Sequence, residues 1–291
     1  MRILLIGGTG FLGSAVSDKL KSRGHTVLST GLTRKGDLKL NLLDVSGVKS
    51  VVNTADWDAI INFAAVLTPI ATNPQTMEKW ETGYKVNAQG PRILAEAVAL
   101  GRSNPLIVHI ASATEPDSAS PIPESRYSET KSEGTHQFRQ AVSKYELKAK
   151  VAVVHNVYGL GQDNRRFLAS AIENLQKNKT VHVQYPFRVR DFCLRREVAH
   201  AIGSLVDGEG PGLVATKPAH VEIGTGVGVT LADAVRTVAK LLGADESLIT
   251  YGNELRHDVH PVRIANVDPT GFKICKTLFQ DGIQRVISER E

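Results

Sequence analysis

Two cysteines, Cys193 and Cys275, are all that the 291 residues contain. So few exclude a disulfide scaffold, and their spacing matches no metal-binding pattern, so both read as packing residues of a protein expected in the reducing cytoplasm. Aromatic residues are equally scarce, at 5%. A single-stranded nucleic-acid groove interleaves aromatics with clustered cations, and here the cations come only in short pairs such as Arg165-Arg166 and Arg195-Arg196, so no nucleic-acid partner is expected. No apolar run approaches the roughly 20 residues that span a bilayer. The first, Ile3–Gly8, follows a single Arg and runs into glycines, so neither a membrane span nor a secretory signal is expected. What is present is a globular balance: 42% hydrophobic residues, 22% charged, and 35 Lys+Arg against 30 Asp+Glu. The resulting +5 is a mild excess that suits a phosphate-bearing ligand.

The first half alternates short apolar runs with stretches of helical spacing. Strands are expected at Arg2–Ile6, Thr26–Leu28, Ala59–Phe63, Leu106–Ile110 and Val151–Val154, and helices at Phe11–Arg23, Met77–Leu100 and from Arg126. Strand–helix alternation implies parallel pairing with right-handed crossovers, and so a Rossmann-type doubly wound α/β sheet covered on both faces. Past Tyr158 the pattern loosens. Helices are expected at Phe167–Lys177, Arg196–Val206 and Leu231–Leu242, strands at Val181–Val183 and Val221–Ile223, and turns at Gly208–Gly212 and Asp258–Pro261. The expected organisation is a dinucleotide-binding domain over 1–160, with 192–224 returning to it. A smaller interleaved α/β lobe for substrate covers 161–191 and 225–291.

Between the first strand and the first helix lies Gly7-Gly8-Thr9-Gly10-Phe11-Leu12-Gly13. Glycines at 7, 10 and 13 allow a tight turn, close approach of a pyrophosphate to the backbone, and close helix–strand packing. The opening helix adds free N–H groups and the positive end of its dipole. Gly7, Gly10, Phe11, Leu12 and Gly13 are therefore candidate dinucleotide-binding residues. The carboxylate that usually binds the adenosine ribose is missing at the end of the second strand, where Ser29, Thr30, Gly31, Leu32, Thr33, Arg34 and Lys35 stand instead. Thr30, Arg34 and Lys35 suit a 2′-phosphate better than a bare hydroxyl, which favours NADP(H) over NAD(H).

Tyr127 and Lys131 are one helical turn apart, at the start of the helix that follows the strand leading to Ser112. All three would then lie at the carboxyl ends of parallel strands, where open α/β sheets bind ligands. Hydride transfer to a carbonyl leaves charge on oxygen that must receive a proton. A tyrosine titrates near 10, and a nearby ammonium brings it toward the working range, while a serine hydroxyl can hold the same oxygen. Tyr127, Lys131 and Ser112 are the candidate catalytic residues, Lys131 also reaching the nicotinamide ribose. No metal site is expected.

With these residues, the sequence resembles the extended short-chain dehydrogenase/reductase family, the NAD(P)-dependent epimerase/dehydratase group acting on nucleotide sugars. The resemblance runs from about residue 1 to 270. It rests on Gly7–Gly13, Asn41–Asp44, Asn62-Phe63-Ala64-Ala65, Asn87, Ser112, Tyr127/Lys131, Asn156–Gly159, Arg190-Asp191-Phe192 and Arg256. It implies that Asp44 approaches the adenine and that Ala64 and Ala65 line the cofactor. Asn87 would stand at a helix irregularity carrying a proton-relay water, with Pro91 four residues on expected to kink the helix. Asn156 would bind the sugar or its phosphate, and Arg190 and Arg256 the diphosphate. It also implies a homodimer through the helices at Met77–Leu100 and Arg126–Lys144.

The departures from the family pattern carry information. Dehydratases of the group place Asp-Glu directly after the serine or threonine. Here Ala113 and Thr114 follow Ser112, and Glu115 stands one place further on, which disfavours dehydration. Ser112-Ala113-Thr114 is similar to nucleotide-sugar 4-epimerases, with Thr114 facing substrate. The second-strand end is similar to NADP-dependent reductases of 4-keto-6-deoxy sugars. His155 falls near the expected nicotinamide position, where a packed histidine is the alternative. Three readings result: an NADP(H)-dependent reductase of a nucleotide-linked 4-ketosugar, an NAD-dependent 4-epimerase, and a catalytically idle nucleotide-binding scaffold.

Overall fold

The computed structural model of the chain describes residues 1–33, 35–66, 74–116, 121–209, 218–253, 262–266 and 275–289. The elements fall in two compact units, residues 1–153 with 202–221, and residues 154–201 with 222–291.

The first unit opens with β1 (Arg2–Ile6), α1 (Phe11–Ser22), β2 (Thr26–Gly31), β3 (Leu38–Lys39), α2 (Val45–Val52) and β4 (Ala59–Asn62). It continues through α3 (Pro74–Ala99), β5 (Leu106–Ser112), α4 (Arg126–Tyr145) and β6 (Ala149–Val154). Four successive residues of β1, Ile3 to Ile6, are at most 1% exposed. A strand buried on both faces needs apolar side chains at odd and even positions alike, which explains the unbroken run. The seven-stranded sheet has the order β10-β6-β5-β4-β1-β2-β3, β10 being Ala219–Ile223. Pairing is parallel from β5 through β4, β1 and β2 to β3. Winding runs outward from β1 in both directions, so the order reverses between β1 and β4. That crevice, at the carboxyl ends of the strands, is where doubly wound sheets take a dinucleotide. One face of the sheet is closed by α2, α3 and α4 through a core of Leu42, Val48, Ile93, Leu94, Val98, Phe138 and Val142.

α3 continues as one helix through Pro91. Pro91 has no N–H for the Asn87 carbonyl. Gly134 of α4 lies against that same carbonyl, and a Cβ added there would meet the oxygen inside 3.0 Å. The missing side chain is what lets α4 sit on α3 at this depth, with the glycine Cα–H facing a carbonyl that has lost its helical donor.

The second unit contains β7 (Asn156–Tyr158), α5 (Phe167–Gln176), β8 (Val181–Val183), β9 (Val189–Leu194) and the first turns of α6 (Arg195–Val206). After β10 come β11 (Gly228–Thr230), α7 (Leu231–Leu242), β12 (Ile249–Tyr251) and α8 (Phe279–Ser288). β9 is central, parallel to β7 and antiparallel to β11, while β8 and β12 form a separate parallel pair. Tyr158, Phe192 and Phe279 stack edge-on or tilted with centroids 5.0–6.5 Å apart in its core. Cys193 and Cys275 are both free and buried in this unit, as packing residues should be.

The expected helices and strands recur with ends shifted by a few residues, and β5 extends to Ser112 itself. The expected turn at Asp258–Pro261 lies outside the described residues, as do the last three residues of Gly208–Gly212. No described helix is long and apolar enough to cross a membrane.

Candidate active site

Gly7 turns with φ +72°, a left-handed value that glycine adopts without strain. Its N–H donates to Thr30 Oγ1 at 3.1 Å, and its carbonyl accepts the Gly10 N–H at 3.0 Å. A Cβ on Gly7 would stand 3.0 Å from the Ala64 backbone nitrogen, and one on Gly13 would stand 2.7 Å from the Gly7 carbonyl oxygen. The loops after β1 and β4 and the first turn of α1 thus close on one another with no room for side chains. α1 begins at Phe11 behind Gly10, which supplies no side-chain cap, and its first turn holds no acidic residue. Its positive end is left for an anion, and the cradle fits the pyrophosphate of a dinucleotide.

Thr30 takes a different place from the one predicted. It is 1% exposed and its hydroxyl braces the glycine turn, so it shapes the cofactor loop from behind. Lys35 is exposed beyond the end of β2, and Arg34 lies outside the described residues. Asp37, the first carboxylate after β2, accepts the Ser29 N–H at 2.7 Å and returns its own N–H to the Ser29 carbonyl. It is bound along the strand edge. Asp44 caps α2: its Oδ1 accepts the Gly47 N–H at 3.0 Å and the Ser46 hydroxyl at 2.7 Å, bonds that hold its pKa below the ordinary carboxylate value.

Ser112 closes β5, and Tyr127 and Lys131 lie in the first two turns of α4, which Ser125 and Ser128 open with a reciprocal capping box. Lys131 is 3% exposed and its ammonium donates to the Ile110 carbonyl at 2.7 Å, so its tip is seated at the end of β5, two residues before Ser112. Burial pushes the Lys131 pKa down, and the charge of Glu115 pulls it back up. Tyr127 is half-buried. The sheet thus brings Ser112 and Lys131 to one strand end, with Tyr127 a turn before Lys131.

Thr114 hydrogen-bonds Ser112, hydroxyl to hydroxyl, at 2.9 Å, and Glu115 folds back so that its Oε1 accepts the Ser112 N–H at 2.8 Å. Asn87 is 1% exposed and fully occupied. Its carbonyl accepts the Val66 N–H and its amide donates to the Val66 carbonyl, both at 2.7 Å, and to Thr130 Oγ1 at 3.0 Å. It ties the loop after β4, where Ala64 and Ala65 lie, to the turn of α4 between Tyr127 and Lys131.

A buried relay below this layer was not foreseen. The Ala64 N–H donates to Asn62 Oδ1, Asn62 Nδ2 faces His109 Nδ1 at 3.4 Å, and His109 Nε2 faces Thr135 Oγ1 at 3.3 Å. Since an amide N–H₂ can only donate, His109 accepts at Nδ1 and carries its proton on Nε2. Burial pushes its pKa well down, helped by the charges of Lys131 and Arg139, so it stays neutral. The available signal was one histidine inside the apolar strand Leu106–Ile110.

In the second unit, Asn156 opens β7 and Arg190 lies buried in β9, with Nη1 donating to the Val189 carbonyl at 2.8 Å. Arg256 lies outside the described residues. His155 is packed and paired, with Nε2 3.2 Å from Glu222 Oε2. No cluster among the described residues could hold a metal ion.

A glycine turn at the switch point of a doubly wound sheet, with Ser112, Tyr127 and Lys131 on the neighbouring strand and helix, is the architecture of the Rossmann class. The NAD dependent epimerase/dehydratase family matches residues 3–212, and the chain belongs to it. The human "Epimerase family protein SDR39U1" is 34% identical over 103 residues, covering 34% of this chain and 32% of that relative, so the match spans about a third of the relative's length. Among solved structures, the fold matches UDP-glucose 4-epimerase from Thermotoga maritima, crystallised with UDP-glucose, with TM-score 0.80 and 21% identity over 99% of this chain and 98% of that one. It also matches dTDP-glucose 4,6-dehydratase from Bacillus anthracis, in complex with NAD, with TM-score 0.78 and 19% identity over 99% and 96% of the two chains.

Proposed function

We infer that the protein is an NADPH-dependent reductase of a nucleotide-linked 4-ketosugar. The observation that carries the chemistry is the buried Lys131 ammonium fixed to the Ile110 carbonyl, one turn after Tyr127 and beside the strand end that presents Ser112. When bound, the nicotinamide would supply a hydride for C4 of the sugar. Tyr127 then gives its proton to the C4 oxygen, and the Lys131 charge favours the phenolate left behind. Ser112, its hydroxyl aligned by Thr114, donates a hydrogen bond to the same oxygen. Gly7, Gly10 and Gly13, with Phe11 and Leu12, would hold the dinucleotide, and Ala64 and Ala65 would line it. Asn156 and Arg190 would hold the sugar and the diphosphate. Elimination of water is not supported by Glu115, whose carboxylate accepts the Ser112 N–H.

The NADPH preference is supported by the tip of β2. No carboxylate follows Gly31 until Asp37, and Asp37 is bound to Ser29, while Lys35 is exposed nearby. NAD-dependent 4-epimerisation is the second reading, favoured by Ser112-Ala113-Thr114 and by the likeness to solved epimerases. The assay that separates them follows absorbance at 340 nm with a 4-keto nucleotide sugar and NADPH or NADH. Stoichiometric oxidation, faster with NADPH, is expected. UDP-glucose converting to UDP-galactose on retained NAD, with no net oxidation, establishes the second reading instead.

A further inference from the structure

We propose that Glu115 is a positioning residue of the proton-transfer step: its carboxylate completes the end of β5 beside the Lys131 ammonium and is the partner of that buried charge. The proposal rests on the reductase reading above, in which Lys131 supports Tyr127, and adds a carboxylate to it. It begins with the way β5 outruns β4. The Leu106 N–H donates to the Asp58 carbonyl, so the even-numbered residues of β5 turn their backbone groups toward β4. β4 ends at Asn62, in register with His109. Ala64, the next residue facing that edge, turns its N–H to Asn62 Oδ1 instead. The Ile110 carbonyl and the Ser112 N–H therefore reach the same edge of β5 beyond its last partner on β4. Backbone groups kept from water need partners, and here side chains supply them. The Lys131 ammonium donates to the Ile110 carbonyl at 2.7 Å, where a strand N–H would stand. Glu115 Oε1 accepts the Ser112 N–H at 2.8 Å, where a strand carbonyl would stand. In a parallel pair those two places belong to one residue of the neighbouring strand, so the cation and the carboxylate lie side by side.

The turn from Ser112 to Glu115 holds this carboxylate in place. The Glu115 N–H returns to the Ser112 carbonyl at 3.0 Å, and the Thr114 N–H donates to Ser112 Oγ at 3.3 Å. Lys131 is 3% exposed, whereas Glu115 is half-buried. An ammonium taken out of water gives up its proton unless a negative charge offsets the burial. The directions agree with this pairing: burial lowers the Lys131 pKa and Glu115 raises it. Among the described residues, the other groups around the ammonium do not replace the carboxylate. His109, next to Ile110 in β5, stays neutral, and Asn87, which reaches Thr130 from α3, carries no charge. Tyr127 is neutral until it has given up its proton. Arg139, two turns along α4, is a second cation that feels the Glu115 charge. A glutamine at position 115 keeps an acceptor for the Ser112 N–H and removes only the charge, so the bond and the charge can be separated.

Lys131 is followed without turnover by ¹³C NMR of the full chain labelled with [ε-¹³C]lysine, its signal identified by its loss in Lys131→Arg. In Glu115→Gln the Lys131 titration is expected at lower pH than in the unaltered protein, since burial is no longer offset. In Glu115→Asp, which keeps the charge, it should stay close to the unaltered position. The alkaline limb of kcat for NADPH oxidation with a 4-keto nucleotide sugar should also move to lower pH in the glutamine variant. Without the carboxylate, the ammonium and the Tyr127 phenol both lose their protons more easily. Glu115→Ala removes the acceptor as well, and its maximal rate should fall about 10- to 100-fold below that of Glu115→Gln, from the loss of the bond to Ser112. Should Glu115→Gln fail to fold, Glu115→Ala carries the Lys131 titration. A Lys131 titration unchanged in the variants without the charge, or displaced equally by Glu115→Gln and Glu115→Asp, overturns the pairing. A displaced titration in a chain that reduces no ketosugar retains the pairing and rejects only the reductase.

Discussion

Replacing Gly134 by alanine tests how α4, and with it Tyr127 and Lys131, is held in place. In an ordinary helix the change stabilises by about 1 kcal/mol, because alanine loses less backbone freedom. Here the new Cβ would meet the Asn87 carbonyl oxygen inside 3.0 Å, the carbonyl carbon at 3.1 Å and Pro91 Cγ at 3.3 Å. All three belong to the rigid middle of α3, so nothing can rotate out of the way. Overpacking a close contact costs about 1–3 kcal/mol, and backbone against backbone belongs at the upper end. The net is about 2 kcal/mol of destabilisation, or about 4–8 °C in melting temperature for a chain of this size. Displacing α4 also moves Tyr127 and Lys131 relative to Ser112, so turnover should fall together with stability. Thermal melting followed by circular dichroism measures the first, and the NADPH assay the second. A melting temperature that rises, as for an unconstrained helical glycine, would refute this account of the α3–α4 contact.

Two other predictions concern buried polar groups. Among the described residues the Tyr158 hydroxyl is buried without a partner, burial pushes its pKa above the ordinary value, and a Cβ on Gly282 of α8 would collide with it. Tyr158→Phe removes an unsatisfied group, so urea denaturation should show stability unchanged or raised by up to about 1 kcal/mol; a loss beyond that would reveal a bond the structure lacks. For His109, the folded chain keeps the ring neutral below its ordinary pKa of 6.5 while the unfolded chain takes up a proton. Stability is therefore full above pH 6.5 and falls as pH drops, by about 1.4 kcal/mol per unit until the depressed folded value is reached. Denaturation between pH 7 and 5 should show this slope, and His109→Gln should remove that part of it; identical slopes would refute a neutral His109.

The parts of the site that depend on local spacing were legible in the sequence. Gly7, Gly10 and Gly13 act within one turn, and Tyr127 and Lys131 within another, so their periodicity carries their geometry. The buried runs of β1, β4 and β5 are likewise local. Residues that act across the fold were not legible. The Thr30 hydroxyl on Gly7 spans 23 residues, and the His109 contact with Asn62 spans 47. Gly134 has meaning only once Pro91 has freed the carbonyl of Asn87. Asp191 organises loops 34 and 74 residues away. In the second unit β7, β11 and β12 are three residues long, too short for alternation to show. α2 and α8 were not expected from the sequence either, although Val48, Val51 and Val52, and Phe279, Ile283, Val286 and Ile287, have a helical period.

The account depends most directly on Tyr127 exchanging the proton at the sugar oxygen. Single-turnover oxidation of bound NADPH by a 4-keto nucleotide sugar, compared between the unaltered protein and Tyr127→Phe at equal cofactor occupancy, measures this step alone. A fall of about 10²–10⁴-fold with cofactor affinity retained is expected from the loss of general acid catalysis. An unchanged rate in the phenylalanine variant would contradict it.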